Sequence, residues 1–267
     1  MLVSRNIVLP QNIAVLKLPV WRTVGRCYAF VGRNLMQLVR IGWLPLLAML
    51  PVFALANWLV SPWQVPAGQG PRLAGEVAAF AAGATQLPFL ASIAVAWHRL
   101  VLRDERMVDW RYLRLDGVVW QYAGVCLVLN LLLLLPSLNA ALRGDPRLTG
   151  PAALAGFAIL FFVLPRASLM LPAVALYKDL SPTEAWRASR SNTWRLALAS
   201  MLCVLPPLLL AGLAIMYAER GLGVPKSMVT PVASAVVALA MTVSVTLLSL
   251  AFDLLVRQRD PRKFGPA

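Results

Sequence analysis

Acidic residues are scarce. The chain carries 11 Asp and Glu against 25 Lys and Arg, and none of the acids precedes Glu76. Charged residues of both signs make up only 13% of the 267 residues, about half the share of an ordinary soluble domain. A water-soluble globule of this size would lack the charge to coat its surface. There is one histidine, His98, and there are three cysteines, Cys27, Cys126 and Cys203, far apart and without a CxxC pair. The cysteines are read as small buried apolar residues rather than as a disulfide or metal set. No HExxH, GxSxG, P-loop or EF-hand pattern occurs. Without a second histidine or clustered carboxylates there is no acid–base pair to name, and no cofactor or metal is implied. No water-exposed basic domain is large enough to hold nucleic acid.

What fills the chain instead is hydrocarbon. Sixty per cent of the residues are apolar and the mean hydropathy is +0.72. Six runs reach the length of about 20 residues that a bilayer core requires: 41–61, 77–97, 117–136, 151–176, 196–218 and 230–252. Backbone polar groups cannot go unpaired in lipid, so each run is predicted to be helical. The class is all-α, a polytopic membrane protein with six spans. Nineteen Lys and Arg lie in the N-terminal arm, the second and fourth connections and the tail; five lie in the alternate connections. The remaining one, Arg166, lies inside the fourth run. That asymmetry predicts both termini in the cytoplasm. Arg5 and Lys17 bracket a stretch broken by Pro10, Gln11 and Asn12, which is not a signal-peptide pattern, so the first span is expected to serve as its own insertion signal. The predicted organisation is an arm at 1–20, an interfacial helix at 21–40, a six-helix domain at 41–252 and a basic tail at 253–267.

The segment 21–40 has a distinct pattern. At 100° per residue, Arg22, Arg26, Arg33, Gln37 and Arg40 fall within about 60° of arc, opposite Val24, Tyr28, Val31, Leu35, Leu38 and Val39. A narrow cationic stripe against a broad apolar face suits a helix lying in the inner leaflet, its arginines towards anionic lipid phosphates. The same apolar face would equally suit packing on the protein's own bundle, with the arginines in water. A second short helix is expected to begin at Ser181, where Ser181, Pro182 and Glu184 make a capping box with proline at its first position. It carries Trp186, Arg187 and Arg190, whose interleaving suits phosphate contacts or cation–π stacking. Trp43, Trp58, Trp63, Trp97, Trp120 and Trp194 fall near predicted interfaces, as an aromatic belt would.

Polar residues inside spans are candidates for function. No span places Asp or Glu near its middle, which argues against ion-coupled transport. Arg166, between Pro165 and Pro172, could face a cavity for an anion or could snorkel to the inner headgroups. Pro88 and the Pro206-Pro207 pair are expected to kink their spans. Gln86, Gln121 and Asn130 could bond between helices, and Ser234, Ala238, Thr242 and Thr246 make a small-residue packing ridge. His98, beside Trp97 and Arg99 at a span end, is expected to anchor at headgroup level.

Two borders resemble a known group. They are Ala94-Val95-Ala96-Trp97-His98-Arg99-Leu100-Val101-Leu102 with Asp104-Glu105, and the stretch from Leu171-Pro172-Ala173-Val174-Ala175 through Ser181-Pro182-Thr183-Glu184-Ala185-Trp186-Arg187 to Ser191-Asn192-Thr193-Trp194-Arg195-Leu196. With the cationic helix before the first span, they resemble bacterial multi-pass inner-membrane proteins akin to the YciC-like proteins and to the membrane domain attached to some glycerophosphodiester phosphodiesterases. The resemblance implies a bacterial inner membrane. It carries over no catalytic residue, because the phosphodiesterase chemistry belongs to a separate soluble barrel that this sequence lacks.

Two functional expectations follow. One is a non-enzymatic membrane component contacting anionic lipid, a protein partner or a second copy of itself through Arg22, Arg26, Arg33, Arg40, Arg187 and Arg190. The other is a small permease with an anion-accepting cavity near Arg166, Pro88 and Gln86.

Overall fold

The computed structural model describes residues 17–60, 72–143, 147, 149–221, 226–258 and 261–264. Most of the N-terminal arm, Trp63 and the extreme tail therefore lie outside the described residues, as does the side chain of Ser234. Every regular element among the described residues is helical.

Helix α1, Val20–Arg33, follows extended Pro19, and Thr23 closes its first turn by donating to the Pro19 carbonyl. Its buried side is Thr23, Val24, Cys27 and Val31, and that side packs on the bundle. The chain breaks at Asn34, whose side chain donates back to the Phe30 carbonyl. The predicted continuous helix over 21–40 is thus two pieces. Arg40 belongs to α2, Leu35–Val60, which at 26 residues is about 39 Å long, more than a bilayer core of about 30 Å. Pro45 and Pro51 sit inside α2 without ending it.

The second expected span is also divided. Helix α3 covers Arg72–Ala84 and α4 covers Leu87–Arg103, separated by a turn at Thr85 and Gln86. Pro88 does not kink a helix interior, as expected from sequence; it occupies the first turn of α4, where its missing N–H costs nothing. Helix α5, Gly117–Arg143, is continuous through Pro136. The fourth run is interrupted, as its prolines suggest. Helix α6, Thr149–Ala158, widens into a π-turn at Ile159–Val163, and two short helices follow, α7 at Leu164–Ala167 and α8 at Met170–Ala175.

Helix α9, Pro182–Ser189, begins with the predicted capping box. Ser181 Oγ accepts from the Glu184 N–H at 3.2 Å, and Glu184 Oε2 accepts from the Ser181 N–H at 2.9 Å. Helices α10, Thr193–Gly221, and α11, Lys226–Phe252, form a long packed pair, with Pro206 and Pro207 inside α10. A π-turn at Asp253–Arg257 and a short α12, Pro261–Phe264, complete the described chain. Five of these stretches are long and apolar enough to cross a membrane: Leu35–Ala56, Gly117–Pro136, Gly150–Ala175, a stretch within Pro182–Ala218, and Ala238–Arg257.

The segments rich in arginine meet at one end of the bundle. The Leu18 N–H donates to Asn192 Oδ1 at 2.7 Å, and Arg195 donates to the Leu18 carbonyl. Arg40 donates to the Met107 carbonyl, Arg103 to that of Leu176, and Arg257 to that of Leu102. Lys263 pairs with Glu184 at 2.9 Å. The main core lies just beneath this end, around Cys27, Ile41, Trp97, Leu169, Leu247 and Phe252.

Candidate functional site

Helix α4 organises the arginine-rich end. Three consecutive residues project about 100° apart and meet three different neighbours. Trp97 Nε1 donates to Thr246 Oγ1 of α11 at 2.8 Å. His98 lies between Ser249 of α11, 2.7 Å from Nδ1, and Tyr122 of α5, 3.0 Å from Nε2. Arg99 Nε donates to the Ala175 carbonyl at the end of α8, at 2.9 Å.

The polarity of the His98 chain follows from its last link. Ser249 donates its proton to the Val245 carbonyl, so its oxygen must accept from His98 Nδ1–H, and Nε2 must accept from the Tyr122 hydroxyl. All partners are then satisfied by a neutral imidazole. His98 and Ser249 are fully buried. The expected headgroup-level anchor is therefore an interhelical rivet, because the side chain points inward between α5 and α11. Trp97 is corrected likewise: it is 1% exposed and belongs to the core, whereas Trp43, Trp58, Trp120 and Trp194 are exposed as a belt requires. Asn130 bonds to the Cys126 carbonyl of its own helix rather than to a neighbour.

Arg99 is 5% exposed, and its Nη2 has no hydrogen-bond partner among the described residues. The Tyr177 ring covers its guanidinium, 4.6 Å from ring centre to Cζ. Tyr177 sits at φ 58°, a left-handed position usually given to glycine, at the end of α8. Its hydroxyl accepts from Arg114 Nη2 at 2.9 Å, and Arg114 also pairs with Asp116. The adjacent Arg99 and Arg114 guanidinium groups pull the phenol below its ordinary pKa by favouring the charged form. Ser92 and Tyr112 close the underside: Tyr112 donates to the Ser92 carbonyl, and Ser92 Oγ accepts from the Arg114 N–H.

Arg166 is 7% exposed. Its guanidinium stacks on the Trp186 ring at 3.5 Å and donates to Ser189 Oγ and the Trp186 carbonyl. The cation–π partner of Trp186 is thus Arg166, not the neighbouring Arg187 or Arg190. Arg166 joins α7 to α9; its side-chain bonds reach neither Gln86 nor Pro88, which stand at the α3–α4 break. The sequence separates Arg166 from Trp186 by a turn and a loop, so only the fold could reveal this pair.

The proposed headgroup arginines divide into two sets. Arg22, Arg26 and Arg33 form an exposed stripe on α1, and Arg187 and Arg190 are exposed on and just after α9. Arg40 is half-buried, with its guanidinium 5.1 Å from the Trp110 ring, because the break at Asn34 turns it towards the 104–116 segment. The same segment is held by Gln37, which accepts from the Met107 N–H, and by Trp43, which donates to the Trp110 carbonyl.

Sequence reasoning missed an apolar groove of about 430 Å³ between α2 and α11, floored by α4. Residues 38–46, 90–97 and 238–245 line it. Gly42 gives it depth, since a side chain there would meet only Leu46, at 3.8 Å. No protein-family model matches the chain, and neither curated proteins nor solved structures yield a match.

Proposed function

We propose that the protein is a six-pass inner-membrane protein whose arginine-rich end faces the cytoplasm and holds anionic lipid. In this reading α3 and α4 together make the second crossing, as a broken span. The alternation of arginine-dense and arginine-poor connections supports the orientation. The return of residues 17–18, 103–116, 176–195 and 257–264 to one end supports an even number of crossings between them. The two borders quoted above support kinship with the YciC-like group.

One observation carries the lipid reading. The Arg22–Arg26–Arg33 stripe is exposed, has no acidic neighbour on its helix, and lies on a helix whose other face is fixed to the bundle. A cation held at the membrane surface contributes about 1 kcal/mol towards an anionic leaflet, so the stripe supplies roughly 3 kcal/mol. The protein acts in this reading as a non-enzymatic component: nothing on the stripe can transfer a proton or form a covalent intermediate near neutral pH. The test is the full chain in mixed phosphatidylcholine and phosphatidylglycerol bilayers carrying a spin-labelled phosphatidylglycerol. Wild type should immobilise the anionic lipid preferentially, and the triple charge reversal Arg22→Glu, Arg26→Glu, Arg33→Glu should remove that preference. Equal preference in both proteins would refute the reading. Reporter fusions at the two termini check the topology independently.

A further inference from the structure

We infer that the groove between α2 and α11 seats one inner-leaflet glycerophospholipid, an acyl chain lying over Gly42 and an anionic headgroup held by Arg26 and Arg33. The inference rests on the proposed lipid reading and gives it a specific site.

The lining dictates the hydrocarbon half. Only three of its side chains carry nitrogen or oxygen, and each is already bonded: Trp97 to Thr246, Thr242 to the Ala238 carbonyl, and Trp43 to the Trp110 carbonyl. Every donor on these side chains is spent and only the Thr242 hydroxyl oxygen can still accept, so the occupant of the cleft is apolar. Its length suits a lipid tail. Residues 38–46 of α2 span about 12 Å, against about 15 Å for one leaflet of the hydrocarbon core. The groove also lies at the right depth, beginning beside the Trp43–Trp110 contact at the arginine-rich end and running away from it.

The mouth dictates the headgroup half. Phe30 of α1 meets Trp97 of the groove edge-on, with ring centres 5.9 Å apart. On the α1 wheel Arg26 lies about 40° and Arg33 about 60° from Phe30, on its exposed flank and away from the buried Thr23, Val24, Cys27 and Val31. Both are exposed, and α1 has no acidic residue. A phosphate at that level meets cations, while a zwitterionic headgroup brings its own.

The experiment titrates the delipidated full chain in detergent with palmitoyl-oleoyl phosphatidylglycerol and with the phosphatidylcholine bearing the same chains, followed by native mass spectrometry. Wild type should take one phosphatidylglycerol about thirtyfold more tightly than phosphatidylcholine, the factor expected from two surface cations. Gly42→Leu, which fills the groove from its α2 wall, should lose both lipids. Val39→Trp, on the exposed rim, should do the same and guards against a folding defect at Gly42; unchanged thermal unfolding identifies a folded variant. Arg26→Gln with Arg33→Gln should keep phosphatidylcholine binding and lose the thirtyfold preference. If both groove variants bind like wild type, the seat is refuted. Should the arginine variant still lose its preference in that case, the general lipid reading stands without it. Equal binding of the two lipids by wild type overturns the headgroup half. Dimers that Gly42→Leu dissociates would mean that the groove holds a second copy of the chain, which also overturns the inference.

Discussion

The two ends of the bundle are built differently from the same kind of helix. In α10, Leu196, Ala199 and Cys203 near the arginine-rich end are fully buried, while Leu209, Leu210 and Tyr217 further along are 63–67% exposed. Helix α5 repeats the contrast, with Val119 and Tyr122 buried and Val128 and Leu135 exposed. In a soluble protein such exposed leucines would be costly. In lipid they are not, because acyl chains are as apolar as leucine and nothing drives the side chain inward. What can hold helices together there is close packing and interhelical hydrogen bonding. Those features concentrate at the arginine-rich end, in Trp97–Thr246, Tyr122–His98–Ser249, Arg99–Ala175 and Arg166–Ser189. Stability should therefore be set at one end of the molecule and nearly indifferent to the other.

The largest expected effect tests that division directly. His98→Ala removes two interhelical bonds worth roughly 1 kcal/mol each and leaves a cavity in a closed core, for a loss of about 2–4 kcal/mol. Leu210→Ala removes an isopropyl group from the opposite end and should cost under about 0.5 kcal/mol. Thermal unfolding in detergent compares them. Similar losses for both would show that the contrast in burial has no energetic counterpart.

A second pair compares two asparagines. Asn192 is buried and accepts the hydrogen bond of the Leu18 N–H, whereas exposed Asn130 bonds within its own helix. Asn192→Ala should cost about 1–2 kcal/mol and should speed proteolysis of the segment before α1. Asn130→Ala should stay within about 0.5 kcal/mol of wild type. Protection of residues 17–20 in the Asn192 variant would contradict the view that this clamp seats α1.

Sequence legibility also divides along the chain. The α9 capping box and the α1 stripe were readable because each is complete within a few residues: Ser181 and Glu184 satisfy each other, and the α1 arginines recur at helical spacing. The apolar runs were readable for the same reason, apart from the break at Thr85 and Gln86, where Pro88 signalled a disturbance but not its position. The Trp97-His98-Arg99 triplet was misplaced at the headgroups because its meaning lies in partners 24 to 151 residues away. The groove was invisible for a related reason. Three stretches of leucine, glycine and alanine read as ordinary span until α4 is seen to floor the gap between two others.

Tyr177 sharpens the comparison within the arginine-rich end, by setting backbone strain against side-chain contact. A non-glycine residue in the left-handed region costs about 1–2 kcal/mol. The ring over Arg99, with its outer side in solvent, returns roughly 0.5–1 kcal/mol. Tyr177→Ala keeps the strain and loses the ring, whereas Tyr177→Gly loses both. The glycine variant should therefore be the more stable of the two by about 1 kcal/mol, the reverse of their order in a helix interior. If alanine proves better, the turn does not hold this residue at positive φ.

The smallest effect concerns the tail. The Ser181 N–H, then Lys263, then the Ser181 hydroxyl hold the Glu184 carboxyl at about 2, below its ordinary value of 4.5. A lowered folded-state pKa means that the ionised group stabilises the fold above the unfolded value, and that this contribution fades as pH falls from about 4.5 towards 2. Over that window α9 should loosen from Lys263, and amide exchange at 184–189, corrected for intrinsic rate, should accelerate. Glu184→Gln keeps the cap's shape without the charge, so its exchange should be faster at neutral pH and flat across the window. The Arg166–Trp186 stack has no carboxylate, and the amides on its α7 side should keep their protection across the window in either protein. A matching acid response there would mean that α9 opens as one unit, and that the arginine end is held by a single cooperative network.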